Sequence, residues 1–310
     1  MKIFNSTEEF DFDSCVVTIG AFDGVHLGHI SVIDFLHDIS IKSFMPSVVL
    51  TFVNHPQHYF NKNADFKLLT TLEEKIKIIR GTGIDAVVLT TFDSNTALTN
   101  YSNFTQETLL GKLRAKKIVM GYDHHYGQKG EGTFELVNQY AKQLSVEVLR
   151  VPELYPGEHL SSSAIRKQLM EGNVSHSAKL LGYNYGLNAT VVHGQQLGRK
   201  LGFPTANLLP VSPEKLIPAQ GVYIVDVLFD KQAKHGILNY GIKPTIDSKL
   251  QATIEVHLID FEGDLYNKTI RVEFLERIRS EMKFDSLGEL KNQIEKDKMI
   301  AKLFFESREH

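Results

Sequence analysis

The hydrophobic pattern of this chain changes period near residue 183, and that change decides how many folds it must contain. Before it, short and nearly continuous apolar runs fall at residues 15–19, 47–52, 86–89, 117–120 and 146–151. Helical spacing of apolar residues fills the gaps, over 30–36, 72–80, 105–113 and 133–143. Buried strands separated by helices predict an α/β domain whose parallel sheet is covered on both faces. After residue 183, apolar and polar residues alternate in runs split by Gly, Pro and Asn, at 187–192, 222–228, 235–240, 253–258 and 269–274. Alternation predicts antiparallel sheet. Five or six such strands with a last helix over 287–305 suggest a small closed β-barrel carrying one helix. The expected domains are therefore residues 1–183 and 184–310, each long enough for its own core.

Composition narrows the partners. A formal net charge of −3 argues against electrostatic capture of nucleic acid or anionic membrane. No apolar run approaches spanning length, and the N-terminal residues lack a secretory h-region, so the cytoplasm is the expected compartment. Cys15, the single cysteine, sits in an apolar run and reads as an inert core thiol. Small-molecule substrates, without nucleic acid or membrane, are the expected partners, and the chain is expected to be a monomer or a weak homo-oligomer.

The first strand feeds a glycine-punctuated turn, Gly20-Ala21-Phe22-Asp23-Gly24-Val25-His26-Leu27-Gly28-His29, and then a helix. Open α/β sheets bind nucleotides at such a place. A helix start offers free N–H groups and a positive dipole end to phosphate. His26 and His29 are three apart and would face one way on a first helical turn, suited to a polyphosphate as its charge develops. Two histidines that merely cap a turn fit the same residues. A zinc site lacks a third ligand nearby.

Further stretches carry possible chemistry. Thr51-Phe52-Val53-Asn54-His55-Pro56 ends the second strand, on the ligand side of such a sheet, though a plain proline turn reads the same way. The four-glycine loop at 121–132 could stack its imidazole and aromatic rings, His124, His125 and Tyr126, on a planar ligand, or is simply a mobile surface loop. Ser161-Ser162-Ser163-Ala164-Ile165-Arg166 opens a helix that Ser162 or Ser163 can cap, and Arg166 suits an anion held there, or is simply a solvated arginine. In the second half, residues 197–207 read as a loop in which Gly198 and Gly202 flank Arg199 and Lys200. Thr205 and Asn207 are hard oxygen donors of the kind magnesium accepts, and equally are ordinary turn residues. Alternation over 252–258 buries Ile254, Val256 and Leu258 and turns Glu255 to the other face, where by itself it reads as a solvated strand residue.

Taken together these motifs resemble the bacterial bifunctional riboflavin kinase/FAD synthetases. G-x-F-D-G-V-H-x-G-H is similar to the HxGH signature of nucleotidyltransferases, and T-F-x-x-H-P and S-S-S-x-I-R are similar to later signatures of the same domain. G-R-x-x-G-F-P-T-A-N followed by I-E-V-H-L-x-D-F resembles the riboflavin kinase domain. The resemblance implies a Rossmann-like nucleotidyltransferase domain followed by a riboflavin kinase barrel. It implies phosphorylation of riboflavin to FMN, then adenylylation of FMN to FAD, with ATP as co-substrate and Mg2+ as cofactor. It implies catalytic roles for Glu255 as general base and for His26, His29 and Arg166. ATP would meet Gly20, Phe22, Asp23, Gly28, Ser162 and Ser163 in one domain, and Gly198, Arg199, Gly202, Thr205 and Asn207 in the other. Thr205 and Asn207 would also hold Mg2+. Flavin would meet Asn54, His55, Pro56, Asp123 and Tyr126, and, in the kinase, Arg279 and Glu281. The chain departs from the family pattern at His124-His125, where Phe-Arg is usual, and at Gly130, where arginine is common.

Overall fold

A computed structural model describes residues 1–308, apart from 61–65, 154–159, 195–201 and 245–249. It separates into two compact units, Met1–Ser162 and Ser163–His310.

The first unit is built on a parallel sheet of six strands. In chain order its elements are β1 (Lys2–Phe4), β2 (Cys15–Ile19), α1 (Leu27–Ser43), β3 (Ser47–Phe52), α2 (Pro56–Phe60), α3 (Leu72–Arg80) and β4 (Ala86–Thr90). Then come α4 (Ser94–Leu98), α5 (Tyr101–Asn103), β5 (Ala115–Met120), α6 (Phe134–Gln143) and β6 (Glu147–Arg150). The spatial order is β1-β4-β3-β2-β5-β6, and every pairing is parallel. From β2 the chain winds outward through β3 and β4, then returns to the far side of β2 as β5. The switch point between β2 and β5 is where sheets of this kind open a crevice at their carboxyl ends.

Strand residues divide between the two faces. Val17, Ile19, Val48, Leu50 and Ile118 join one buried cluster, and Val16, Val49, Val87 and Val119 join the other. Helices therefore cover both faces, as the unbroken apolar runs require. α3 begins at a full capping box, in which Thr71 Oγ1 accepts from Glu74 N and the Glu74 carboxylate accepts from Thr71 N. The helix expected over 105–113 is π-helical through Phe104–Lys112. β1 was not expected; at three residues it is too short to show alternation.

The second unit carries most of α7 (Ser162–Glu171) and then α8 (Val174–Leu181) before the barrel. Its strands are β7 (Gly186–Val192), β8 (Ala206–Pro210), β9 (Gly221–Phe229), β10 (Gln232–Pro244), β11 (Leu250–Leu258) and β12 (Thr269–Arg279), closed in the order β10-β11-β8-β7-β12-β9. All pairings are antiparallel. Tyr223, Val225, Val227, Leu238, Val256, Val272 and Phe274 are buried along these strands. The neighbours Val222, Ile224 and Ile237 pack with Ala301, Phe304 and Phe305 of α9 (Leu287–Glu306), so α9 covers a second apolar face. One reading changes. Residues 206–207 were expected in a loop but start β8, because a five-residue strand bounded by two prolines, Pro204 and Pro210, looks like a turn by composition.

Candidate active sites

In the first unit the turn between β2 and α1 is strained and tightly held. Phe22, Gly24 and Val25 all have positive φ, at 49°, 79° and 34°. Such backbone is costly for a β-branched residue and persists only where its surroundings fix it. Here Asp23 does so. Its buried carboxylate accepts from Leu69 N at 3.0 Å and Thr70 N at 2.9 Å, while Gly24 N donates to Thr70 Oγ1. Asp23 O also accepts from Ser162 Oγ at 2.8 Å, so the hydroxyl expected to cap a helix is bonded to this turn.

His26 is the N-cap of α1 rather than a member of its first turn. Its Nδ1 accepts from His29 N, which leaves the ring's proton on Nε2. The two imidazoles are stacked, with centroids 3.7 Å apart and planes 17° apart. Capping and pairing, which the sequence left as alternatives, are one arrangement. Gly28 makes room for it, since a Cβ there would come within 3.2 Å of the His26 ring. Burial pushes His26 down to about 4 and His29 well below the usual histidine range, and the neighbouring imidazoles depress His29 further. Near neutral pH the pair is uncharged, so it offers N–H dipoles to an anion rather than full charge.

The loop after β5 adds a third imidazole. Burial holds His124 at about 4, and it lies close enough to His29 to lower that group too. His29 Nδ1 and His124 Nδ1 are both buried without a hydrogen-bond partner among the described residues. Asp123 beside it is exposed and favours the charged form of both His26 and His124. Tyr126, expected on flavin, is buried, and its hydroxyl is 2.7 Å from Thr105 Oγ1, so it anchors the loop.

At the end of β3, Asn54 exchanges two bonds with the backbone of Phe92, each 2.8 Å. His55 accepts from Gln57 N and lies 4.7 Å from the Phe66 ring, and Pro56 opens α2. Beside them Phe52, Tyr59, Phe60 and Phe92 form an edge-to-face aromatic cluster with Phe60 exposed. The sequence reading missed this cluster. Phe92 is 33 residues beyond Tyr59 in the chain, and only the sheet brings them together. Gly20 follows β2 directly, and its N–H donates to Leu50 O.

In the second unit, Glu255 on β11 lies directly opposite Asn207 on β8. Thr205 Oγ1 donates to Glu255 Oε2 at 3.4 Å. A hydroxyl, a carboxamide and a carboxylate thus share one patch, a donor set of hard oxygens that fits magnesium beside phosphates. Gly194 approaches so closely that a Cβ would fall 2.1 Å from the Asn207 side chain. His257, unnoticed in the sequence, bonds Pro204 O at 2.9 Å through Nδ1 and so fixes the backbone next to Thr205. A cavity of 510 Å³ opens here, lined by Val191, Thr205, Leu258, Phe261 and Tyr266 among others. Gly202 has φ of 88° and borders the segment 195–201, so Gly198 and Arg199 lie outside the described residues.

Arg279 makes a bidentate ion pair with the buried Asp297 of α9, through Nε at 3.1 Å and Nη2 at 2.8 Å. Glu281 is exposed, with its carboxylate against Gly241. Arg166 lies on α7, half-buried and one turn beyond Ser162, and Ser163 between them is exposed.

Comparison with known proteins agrees with this division. Residues 9–165 match the family model described as FAD synthetase, and residues 181–305 match the one described as riboflavin kinase. Proteins named bifunctional riboflavin kinase/FMN adenylyltransferase are similar throughout. The one from Escherichia coli K12 is 35% identical, covering 94% of this chain and 93% of the relative. Those from Haemophilus influenzae and Bacillus subtilis are 38% and 36% identical, again over 94% of this chain, and over 95% and 92% of their own lengths. A solved structure titled macrolide-efflux protein from Streptococcus pneumoniae superposes with a TM-score of 0.88 at 31% identity, covering 97% of this chain and 98% of that one. Among the described residues no helix is long and apolar enough to cross a membrane. With two family models in the same order as its two sites, and relatives aligned almost end to end, this chain belongs to the bifunctional riboflavin kinase/FMN adenylyltransferase family.

Proposed function

We propose that this protein makes FAD from riboflavin in two ATP-dependent steps, the first in the barrel (residues 184–310) and the second in the α/β domain (residues 1–183). The observation that carries the reading is the pairing of Glu255 with Asn207 and Thr205 in one unit, and of His26 with His29 at a helix N-terminus in the other. Each is a separate place for a polyphosphate.

In the barrel, Glu255 takes the proton of the ribityl 5′-hydroxyl as that oxygen attacks the γ-phosphorus of ATP, and the bond from γ-phosphorus to ADP breaks. The 510 Å³ cavity beside Thr205 has apolar walls, from Val191, Leu258 and Phe261, suited to the base of that nucleotide. Thr205 and Asn207 would hold magnesium, which when bound neutralises polyphosphate charge. Gly202 and, outside the described residues, Gly198 and Arg199 would complete the phosphate loop. Arg279 and Glu281 would border the flavin.

In the α/β domain, a phosphate oxygen of FMN attacks the α-phosphorus of a second ATP, and pyrophosphate leaves. The His26 Nε2–H, the His29 ring and the free N–H groups of α1 donate to the charge that builds on the phosphate oxygens. Gly20, Phe22, Asp23, Gly28, Ser162 and Ser163 shape that nucleotide's place, and Arg166 steadies the pyrophosphate. Asn54, His55, Pro56 and Asp123 frame the flavin side, where the exposed Phe60 and its aromatic neighbours suit an isoalloxazine ring. No side chain is covalently modified. Its substrates place the protein in the cytoplasm.

The test is to incubate the purified protein with riboflavin, ATP and Mg2+ and to separate the flavins over time. FMN should form first and FAD after it, EDTA should stop both steps, and excess Mg2+ should restore them. FMN without FAD would remove the second step, and unchanged riboflavin would leave only a binder.

A further inference from the structure

We propose that Lys75 is a positioning residue for adenylyl transfer, its ammonium clasping the carboxyl ends of β2 and β3, from which the histidine pair and the flavin side are presented. The inference rests on the reading of the α/β domain as the adenylylation site. The last ladder bond between these strands runs from Gly20 N to Leu50 O. Beyond it β2 turns toward α1 with the histidine pair, and β3 turns toward Asn54 and the aromatic cluster. Just past that bond Lys75 Nζ reaches in from α3 and donates to Ala21 O at 3.1 Å, Thr51 Oγ1 at 3.0 Å and Phe52 O at 2.8 Å. All three of its protons are used. One side chain thus ties the turn that presents His26 and His29 to the strand end that frames the flavin side.

Helix economy does not explain this lysine. It sits in the first turns of α3, where a cation opposes the macrodipole. It is 7% exposed, and burying an ammonium is costly. Burial brings it down to about 8, against the pull of the Asp23 carboxylate. A residue chosen for packing would be apolar at such a place. The turn it holds is the strained one, with Phe22, Gly24 and Val25 at positive φ. Asp23 fixes that turn to residues 69–70 just before α3, and Lys75 fixes it from within α3, so two charged groups tether it to the start of one helix.

The experiment compares Lys75→Met, Lys75→Arg and Thr51→Val in the full chain, measuring adenylylation of added FMN with ATP and FMN varied separately. Riboflavin phosphorylation and thermal unfolding are measured on the same preparations. Because misplacement of reacting groups by about 1 Å costs about a hundredfold, Lys75→Met should lower kcat for adenylylation by about ten- to a hundredfold. KM should rise for both substrates, and phosphorylation should stay within about twofold. Lys75→Arg, which keeps the cation, should recover most of the loss. Thr51→Val removes one acceptor at constant volume and should cost about threefold. Adenylylation by Lys75→Met within about threefold of wild type overturns the proposal, as does a fall in KM-neutral fashion matched by equal loss of phosphorylation. Should Lys75→Met fail to fold, Thr51→Val decides, and a wild-type rate there overturns the clasp. A wild-type protein that makes FMN but no FAD removes the underlying reading, and the role of Lys75 with it.

Discussion

Three imidazoles, those of His26, His29 and His124, are kept neutral in the folded chain by burial. Each would take up a proton in the unfolded chain below its ordinary value of 6.5. The unfolded state therefore binds more protons between pH 6.5 and about 4, and stability must fall as pH falls through that window. From pH 7.5 to 5 the loss is up to about 2 kcal/mol for each histidine. His124→Phe, which keeps a buried ring but removes the titrating nitrogens, should flatten the fall in melting temperature over that range. An unchanged slope would show that His124 takes no part in it. Cys15 belongs to the same scale but titrates elsewhere: burial pushes its thiol up to about 12, and Sγ donates to Leu113 O. The thiol expected in the core is buried there.

Among the elements, α9 depends on one buried charge. Asp297 is 2% exposed and receives Arg279 from β12 together with Gln293 Nε2 at 2.9 Å. Removing the arginine strands that carboxylate, which costs about 3–5 kcal/mol, whereas replacing both partners by apolar residues is close to neutral. Arg279→Met should therefore destabilise the barrel by about 3 kcal/mol in denaturant unfolding, and Arg279→Met/Asp297→Leu should regain most of it. A loss below about 1 kcal/mol in the single variant would show that the pair does not hold α9. Phosphorylation by the stable double variant then reports on the proposed contact of Arg279 with flavin, separately from its hold on α9.

Across the whole molecule the His26–His29 pair lies in one compact unit, Met1–Ser162, and Glu255 with Asn207 and Thr205 in the other, Ser163–His310. Glu255→Gln keeps size and polarity but removes the base, so riboflavin phosphorylation should fall by about two to four orders of magnitude. Added FMN should still become FAD at close to the wild-type rate. His29→Ala should do the reverse, with FMN accumulating from riboflavin while FAD formation drops. Equal loss of both activities in Glu255→Gln would replace two sites by one shared or obligatorily coupled site.

What the sequence determined by itself was whatever is local or periodic. Unbroken apolar strands against alternating ones separated a parallel sheet from an antiparallel barrel, because burial on two faces or one is written into every second residue. The helix over Leu72–Arg80 with its cap at Thr71 and the His26 cap of α1 are likewise set by near neighbours. Proline-flanked β8 was hidden because its partners Val191 and Ile254 are supplied by other strands. Lys75, Phe92 and His257 were hidden for the same reason. A buried lysine, a stray phenylalanine and a strand histidine have no distinguishing pattern until the chain brings Ala21 and Phe52, Tyr59, or Pro204 against them. Chemistry that depends on which carbonyl an ammonium reaches is decided only when strands distant in sequence become neighbours, since hydrogen bonds act over about 3 Å and sequence spacing carries no such distance.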